Sequence, residues 1–163
     1  MNHLTISYYL MIYPHLDYGI TLWGSTHITH LKQLAIMQKK VIRNKSGANY
    51  NDHTDPLFRK LNIIKLNDLY EMNVAKYMYT LSHRSLPIKL AQTIKHNQDV
   101  HEHNTRNRFN PHILARRTNI ACRSIQYRGP DIWYNISEEI KLAKTIQSFN
   151  NRLKRNYIGK YSG

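Results

Sequence analysis

The chain has 163 residues, enough for one domain or two small ones sharing a core. Its 24 Lys and Arg against 10 Asp and Glu give a formal net charge of +14. Such an excess favours a polyanionic partner, nucleic acid above all, over a basic surface that only keeps the protein soluble. The hydrophobic fraction of 41% is too high for a disordered chain. A single cysteine, Cys122, excludes an internal disulfide framework and fits a reducing compartment.

In chain order the pattern predicts helices. Residues 4–13 and 15–23 read as helix interrupted at Pro14, whose ring clashes with the preceding turn, and Gly24 stops the second one. The apolar run from Leu4 to Tyr13 lacks the basic flank and small-residue cleavage site of a secretion signal, so an intracellular location, nuclear or cytoplasmic, is expected. No apolar run reaches the roughly 18 residues that a membrane-spanning helix needs, so no membrane partner is expected. Ser25 or Thr26 is the expected cap of the next helix, whose apolar stripe is Ile28, Leu31, Leu34, Ala35, Val41 and Ile42, with Gln38 as the polar exception. Thr54-Asp55-Pro56 starts a short helix that ends at Leu61. Leu66 to His83 carries the clearest period, in Leu66, Leu69, Tyr70, Val74, Tyr77, Met78 and Leu81, with Asn73 at the edge of the stripe.

Leu86-Pro87 opens another short helix to about Ile94. Residues 95–119, rich in His, Asn and Arg, show no helical period and read as an irregular basic connection that a nucleic-acid partner could order. Ser124–Tyr127 reads as a short extended piece, followed by a brief helix over Gly129–Asn135 that buries Ile132 and Trp133. Ser137 caps Glu138-Glu139-Ile140, and a last helix from about Thr145 turns Ile146, Phe149, Leu153 and Tyr157 inward. The expected fold is mainly α: a helical bundle over 1–94, an irregular basic segment over 95–123 and a small helical part over 124–163.

The charges are segmented. No acid lies between Asp17 and Asp52, an interval carrying Lys32, Lys39, Lys40, Arg43 and Lys45. None lies between Glu102 and Asp131, which carries Arg106, Arg108, Arg116, Arg117, Arg123 and Arg128 and no lysine. Charge that merely solubilises is interspersed in sign. Guanidinium forks grip phosphate oxygens in pairs, so the arginine run is the sharper candidate, weighed against a solvated surface.

Reactive constellations are sparse. Two-metal chemistry needs clustered carboxylates, and no two aspartates are adjacent. Asp52 and Asp55 flank His53 at a helix start, where capping accounts for them better than a metal does. His96, His101, His103 and His112 cluster in the irregular stretch without zinc-finger spacing or a cysteine pair. Cys122 has no nucleophile's partner in view and reads as a buried structural thiol. No glycine-rich nucleotide loop is present, and no small-molecule substrate is expected.

Two aromatic-glycine strings stand out: Tyr13-Pro14-His15-Leu16-Asp17-Tyr18-Gly19 through Trp23-Gly24, and Tyr127-Arg128-Gly129-Pro130 through Trp133. With Gln38-Lys39-Lys40-Val41-Ile42-Arg43, Pro56-Leu57-Phe58-Arg59-Lys60-Leu61-Asn62-Ile63, Leu69-Tyr70 and His103-Asn104-Thr105-Arg106 in the same order, nearly the whole chain resembles the C-terminal, thumb-containing part of non-LTR retrotransposon reverse transcriptases of the jockey and CR1 type. The resemblance implies a thumb-like bundle that packs beside a polymerase palm and holds template-primer duplex, an RNA/DNA hybrid or DNA, with Lys32, Lys39, Lys40 and Arg43 along the phosphates. Trp23 and Trp133 fall to packing.

In that family the fingers, the palm and its aspartate pair, which hold Mg2+, lie upstream and have no counterpart here. The chain is therefore expected to need no cofactor of its own and not to polymerise alone, and the absent palm and fingers are candidate partners. Two other readings stay open: a remnant of a mobile element whose first helices expose Tyr8, Leu10, Ile12 and Leu16, and a metal nuclease built on the histidine-rich stretch.

Overall fold

A computed structural model describes residues 3–83, 85–102, 106–115 and 118–161. The fold is mainly α. Among the described residues the only β pairing is an isolated antiparallel bridge between His96 and Pro111. The chain divides into two compact units, residues 1–73 with 150–163, and residues 74–149.

The first unit begins with three short helices, α1 (His3–Met11), α2 (Tyr13–Asp17) and α3 (Ile20–Trp23). The break falls at Ile12, just before the Tyr13-Pro14 pair, because proline is accepted in a first turn but not further in. The helix expected over 15–23 is split at Gly19, whose φ of 62° is left-handed. Trp23 closes that turn by donating its indole N–H to the Tyr18 carbonyl at 2.7 Å.

Helix α4 (Ile28–Ser46) is capped by His27, whose Nδ1 accepts from the Thr29 amide, and not by Ser25 or Thr26. It ends at Gly47, again left-handed with φ 63°. Its buried face corrects the stripe expected from the sequence. Gln38 and Ile42 are the buried residues, while Ile28 is 69% exposed and Leu34 lies at the surface.

Gln38 is buried because its amide meets three groups that need partners. Its Nε2 donates to the Tyr8 hydroxyl at 2.8 Å and to the Ile64 carbonyl at 2.9 Å, and its Oε1 accepts from the Leu66 amide at 2.9 Å. Leu66 opens α6 (Leu66–Ser82), so Gln38 satisfies one of the amides that a helix start leaves unpaired. Between them, α5 (Asp55–Lys60) ends with Asn62 at φ 55°. There the Ile63 amide donates to the Phe58 carbonyl and the Asn62 amide to that of Arg59, a Schellman closure with Asn in the left-handed position.

The first half of α6 takes the end of α10 (Ile146–Gly159). Tyr157 donates to Glu71, and Tyr161 donates to Asp68 while accepting from the Lys65 amide. The Lys65 ammonium lies 4.2 Å from the Tyr161 ring centre and 2.7 Å from Asp55. Asn73, at the stripe's edge, donates to Asp17 at 2.8 Å.

The second unit contains the end of α6, the short α7 (Ile88–Ala91), the irregular stretch, α8 (Ile125–Tyr134), α9 (Glu138–Lys141) and the start of α10. Its core is aromatic. Tyr79 stacks on Phe149 with centres 4.5 Å apart, and Trp133 lies 6.1 Å from Phe149.

The extended piece expected over 124–127 is the first turn of α8. Ser124 takes the N-cap conformation and its carbonyl accepts from the Arg128 amide. Pro130 lies inside this helix, where Gly129 and Pro130 are both buried. Phe149, Leu153 and Tyr157 are buried as the period required, but Ile146 is 45% exposed in the first turn of α10. Cys122 is half-buried in a 3-10 turn, not in the core.

Candidate nucleic-acid interface

The lysines of α4 owe their placement to helix geometry. Lys32, Ile36, Lys39 and Arg43 recur at steps of four, three and four residues and so share one face, with Lys40 beside it. This face runs along the flank of the helix beside the buried positions Gln38 and Ile42, with Lys40 on the side away from them, and Lys32, Lys39 and Lys40 are exposed. No acidic residue lies anywhere on α4. Lys32 and Lys39 stand about 10 Å apart along the axis at 1.5 Å per residue. The face is thus a row of ammonium groups with no internal counter-charge.

Arg43 and Lys45 occupy the last turn, where the helix dipole favours cations. Arg43 also has a structural role. Its Nε and Nη2 donate to the Asp52 carbonyl at 3.1 and 3.0 Å, and its guanidinium lies 5.8 Å from the Tyr50 ring centre. Together these contacts hold the loop that follows α4. Half-buried Lys45 falls off the Lys32–Lys39 line.

The arginines of the middle run belong to the second unit. Arg106 is exposed, and Arg108 stacks its guanidinium 4.3 Å from the Phe109 ring centre. Arg123 and Arg128 are half-buried at the start of α8. Arg116 and Arg117 lie outside the described residues, as does most of the His103–Arg106 motif.

The structure assigns Asp55 to an ion pair with Lys65, and Asp52 to capping the Asn49 amide at 2.7 Å. Of the histidines, His96 lies 3.8 Å from Asp99, and His112 bonds to Asn97. His103 is outside the described residues. Among the described residues no three His, Cys, Asp or Glu side chains converge as a metal site would require. No helix among them is long and apolar enough to cross a membrane.

The first helices expose Leu10, Met11, Tyr18 and Leu22, each more than two-thirds accessible. Tyr8, expected in that exposed patch, is instead almost fully buried, and burial pushes its hydroxyl up to about 12. Burial also raises the Asp68 carboxyl, against the lowering effects of Tyr161 and Lys65. The Tyr161 hydroxyl rises too, from burial first and from its bond to Asp68 second.

Over 111 residues, 66% of this chain, the sequence is 32% identical to the RNA-directed DNA polymerase from mobile element jockey of Drosophila melanogaster. The chain is related to the non-LTR retrotransposon reverse transcriptases. The matched stretch is 12% of the length of that relative, so the chain corresponds to a small region of such an enzyme. No family model and no solved structure matches it. The α4 lysines are an exposed cationic stretch on a helix without acids. The lack of intervening acids marks them in the sequence. Ile36 within the row and the structural engagement of Arg43 escape sequence reasoning, because neither leaves a trace in charge pattern alone.

Proposed function

We propose that this chain is a non-catalytic, thumb-like part of a retrotransposon RNA-directed DNA polymerase that holds the template-primer duplex by its phosphate backbone. The observation that carries this reading is the exposed, acid-free set Lys32, Lys39 and Lys40 on α4, outside the buried Gln38–Ile42 side of the helix. Ammonium groups without base-reading partners bind phosphate by releasing counterions, which gives affinity without sequence preference. Arg106, Arg108, Arg123 and Arg128 supply further phosphate contacts in the second unit, and Arg116 and Arg117 extend that run. The chain contributes grip, and the reacting carboxylates with their Mg2+ belong to the palm of the parent enzyme. The exposed Leu10, Met11, Tyr18 and Leu22 suit contact with that palm.

The test is the salt dependence of binding to a blunt RNA/DNA hybrid. The affinity should fall steeply with salt. Lys39→Ala with Lys40→Ala should reduce the slope by about one unit for each phosphate that the helix no longer touches. An unchanged slope removes α4 from the interface. Nucleotide incorporation by this chain alone would overturn the non-catalytic role.

A further inference from the structure

The second unit encloses a cleft of about 500 Å3, within the roughly 300–1,000 Å3 of small-ligand sites. Met78, Trp133, Phe109, Gln98, Asn110 and Lys141 are among its lining residues. Met78 and Trp133 are buried and form an apolar wall, whereas Phe109 lines the same cleft with 58% of its surface exposed. A phenyl ring left in water forgoes burial that a flat ligand would restore.

The rim that carries Phe109 is held by backbone bonds. The Asn97 amide donates to the Asn110 carbonyl at 3.0 Å, the Gln98 amide to Arg108 at 2.9 Å and the His112 amide to Lys95 at 2.7 Å. The Asn97 side chain adds a bond to the Asn107 carbonyl at 2.9 Å. The backbone that carries Phe109 is therefore held before any ligand arrives, which lowers the ordering cost of binding.

The chemistry of the lining selects the ligand. The Gln98 amide carries both donor and acceptor groups, and Asn110, whose Nδ2 donates to Asn107 at 3.3 Å, adds its amide oxygen, which suits the edges of a planar heterocycle. Lys141 lines the cleft, and Arg108 stands beside it with its guanidinium over one face of the Phe109 ring. The acids nearby are already engaged: Glu138 pairs with Lys141 at 2.7 Å, and Asp99 accepts from the His96 amide at 2.9 Å. A planar group with polar edges, joined to negative charge, is a nucleobase on a phosphodiester strand. We infer that this cleft takes one unpaired base of a single-stranded nucleic acid, stacked on the Phe109 face that Arg108 leaves open, with its phosphates toward Arg108. The site lies in the second unit and does not depend on the α4 lysines.

The test uses the full chain and a single-stranded oligonucleotide carrying one 2-aminopurine, whose emission reports stacking. Binding should quench the emission saturably, and Phe109→Ala should weaken it about tenfold or more. Phe109→Trp should restore it, which separates stacking from a folding defect. The free 2-aminopurine nucleotide should bind far more weakly than the strand, and equal affinity would overturn the assignment to a strand. Equal affinity of Phe109→Ala and the parent chain for the strand would overturn the site itself. A blunt hybrid in the same titrations keeps the two readings apart. A normal salt slope on the hybrid with no Phe109 effect sinks this site alone, and a Phe109 effect with no slope change from the lysine variants sinks the α4 reading alone.

Discussion

Gln38 in the first unit and Phe149 in the second are both buried among helices, and they hold them by different physics. Gln38 satisfies the Tyr8 hydroxyl, the Ile64 carbonyl and the Leu66 amide at once, so its worth lies in leaving no buried polar group unpaired. Phe149 contributes area and stacking against Tyr79 and Trp133. The same contrast recurs at Gly24 and Gly129, one glycine from each aromatic-glycine string. A methyl on Gly24 would stand 2.4 Å from the Ile20 carbonyl and 2.5 Å from the Tyr70 ring, neither free to move. One on Gly129 would stand 2.7 Å from the Met78 sulfur, the end of a flexible side chain. The lesson is that the first unit is pinned at fixed points and the second is packed.

The largest effect expected is from Phe149→Ala, at about 3–5 kcal/mol of stability by chemical denaturation, since it removes a fully buried ring from a stack. Gln38→Ala should come next, on the order of 3 kcal/mol, although it deletes no hydrophobic group. If Gln38→Ala cost no more than a surface substitution, the pinned picture of the first unit would fail. Gly24→Ala should cost about 2 kcal/mol and Gly129→Ala about 1 kcal/mol or less, because Met78 can turn aside. Equal losses would erase the contrast between the strings.

The smallest effect is one of pH. The Tyr8 hydroxyl rises from 10.0 to about 12 on folding, so the neutral form is favoured in the folded state. That contribution is fully present below about pH 10 and is lost as pH rises through about 12, with Tyr13 and Tyr161 shifted in the same direction. The denaturation midpoint should therefore fall over that window, and less so in Tyr8→Phe.

Much of the helical layout was legible in the residues. The period over Leu66–Ser82 is strong because apolar side chains recur every three or four positions. The same regularity places Phe149, Leu153 and Tyr157 on one side of α10. The lysine row on α4 was legible as well, since like charges without intervening acids need no partner to be noticed. The buried face of α4 was not. Counting apolar residues puts Ile28 and Leu34 inward and Gln38 out of place, whereas the fold buries the amide with Ile42 and exposes those two aliphatics. A period reveals that a helix has faces. Which face is covered depends on groups distant in the chain, here Tyr8, Ile64 and Leu66.

By itself the sequence determined the mainly helical class, most helix positions, the basic character and the kinship with retrotransposon reverse transcriptases, because these are local or compositional properties. Tertiary structure alone decided that Gln38 is a buried junction. It alone brought Tyr161 back to Asp68 and Lys65, and it bonded residues 95–98 to residues 107–112 in a rim that leaves Phe109 at a cleft. Each depends on hydrogen bonds or burial between residues far apart in the chain, and no spacing of residue types encodes such a pairing.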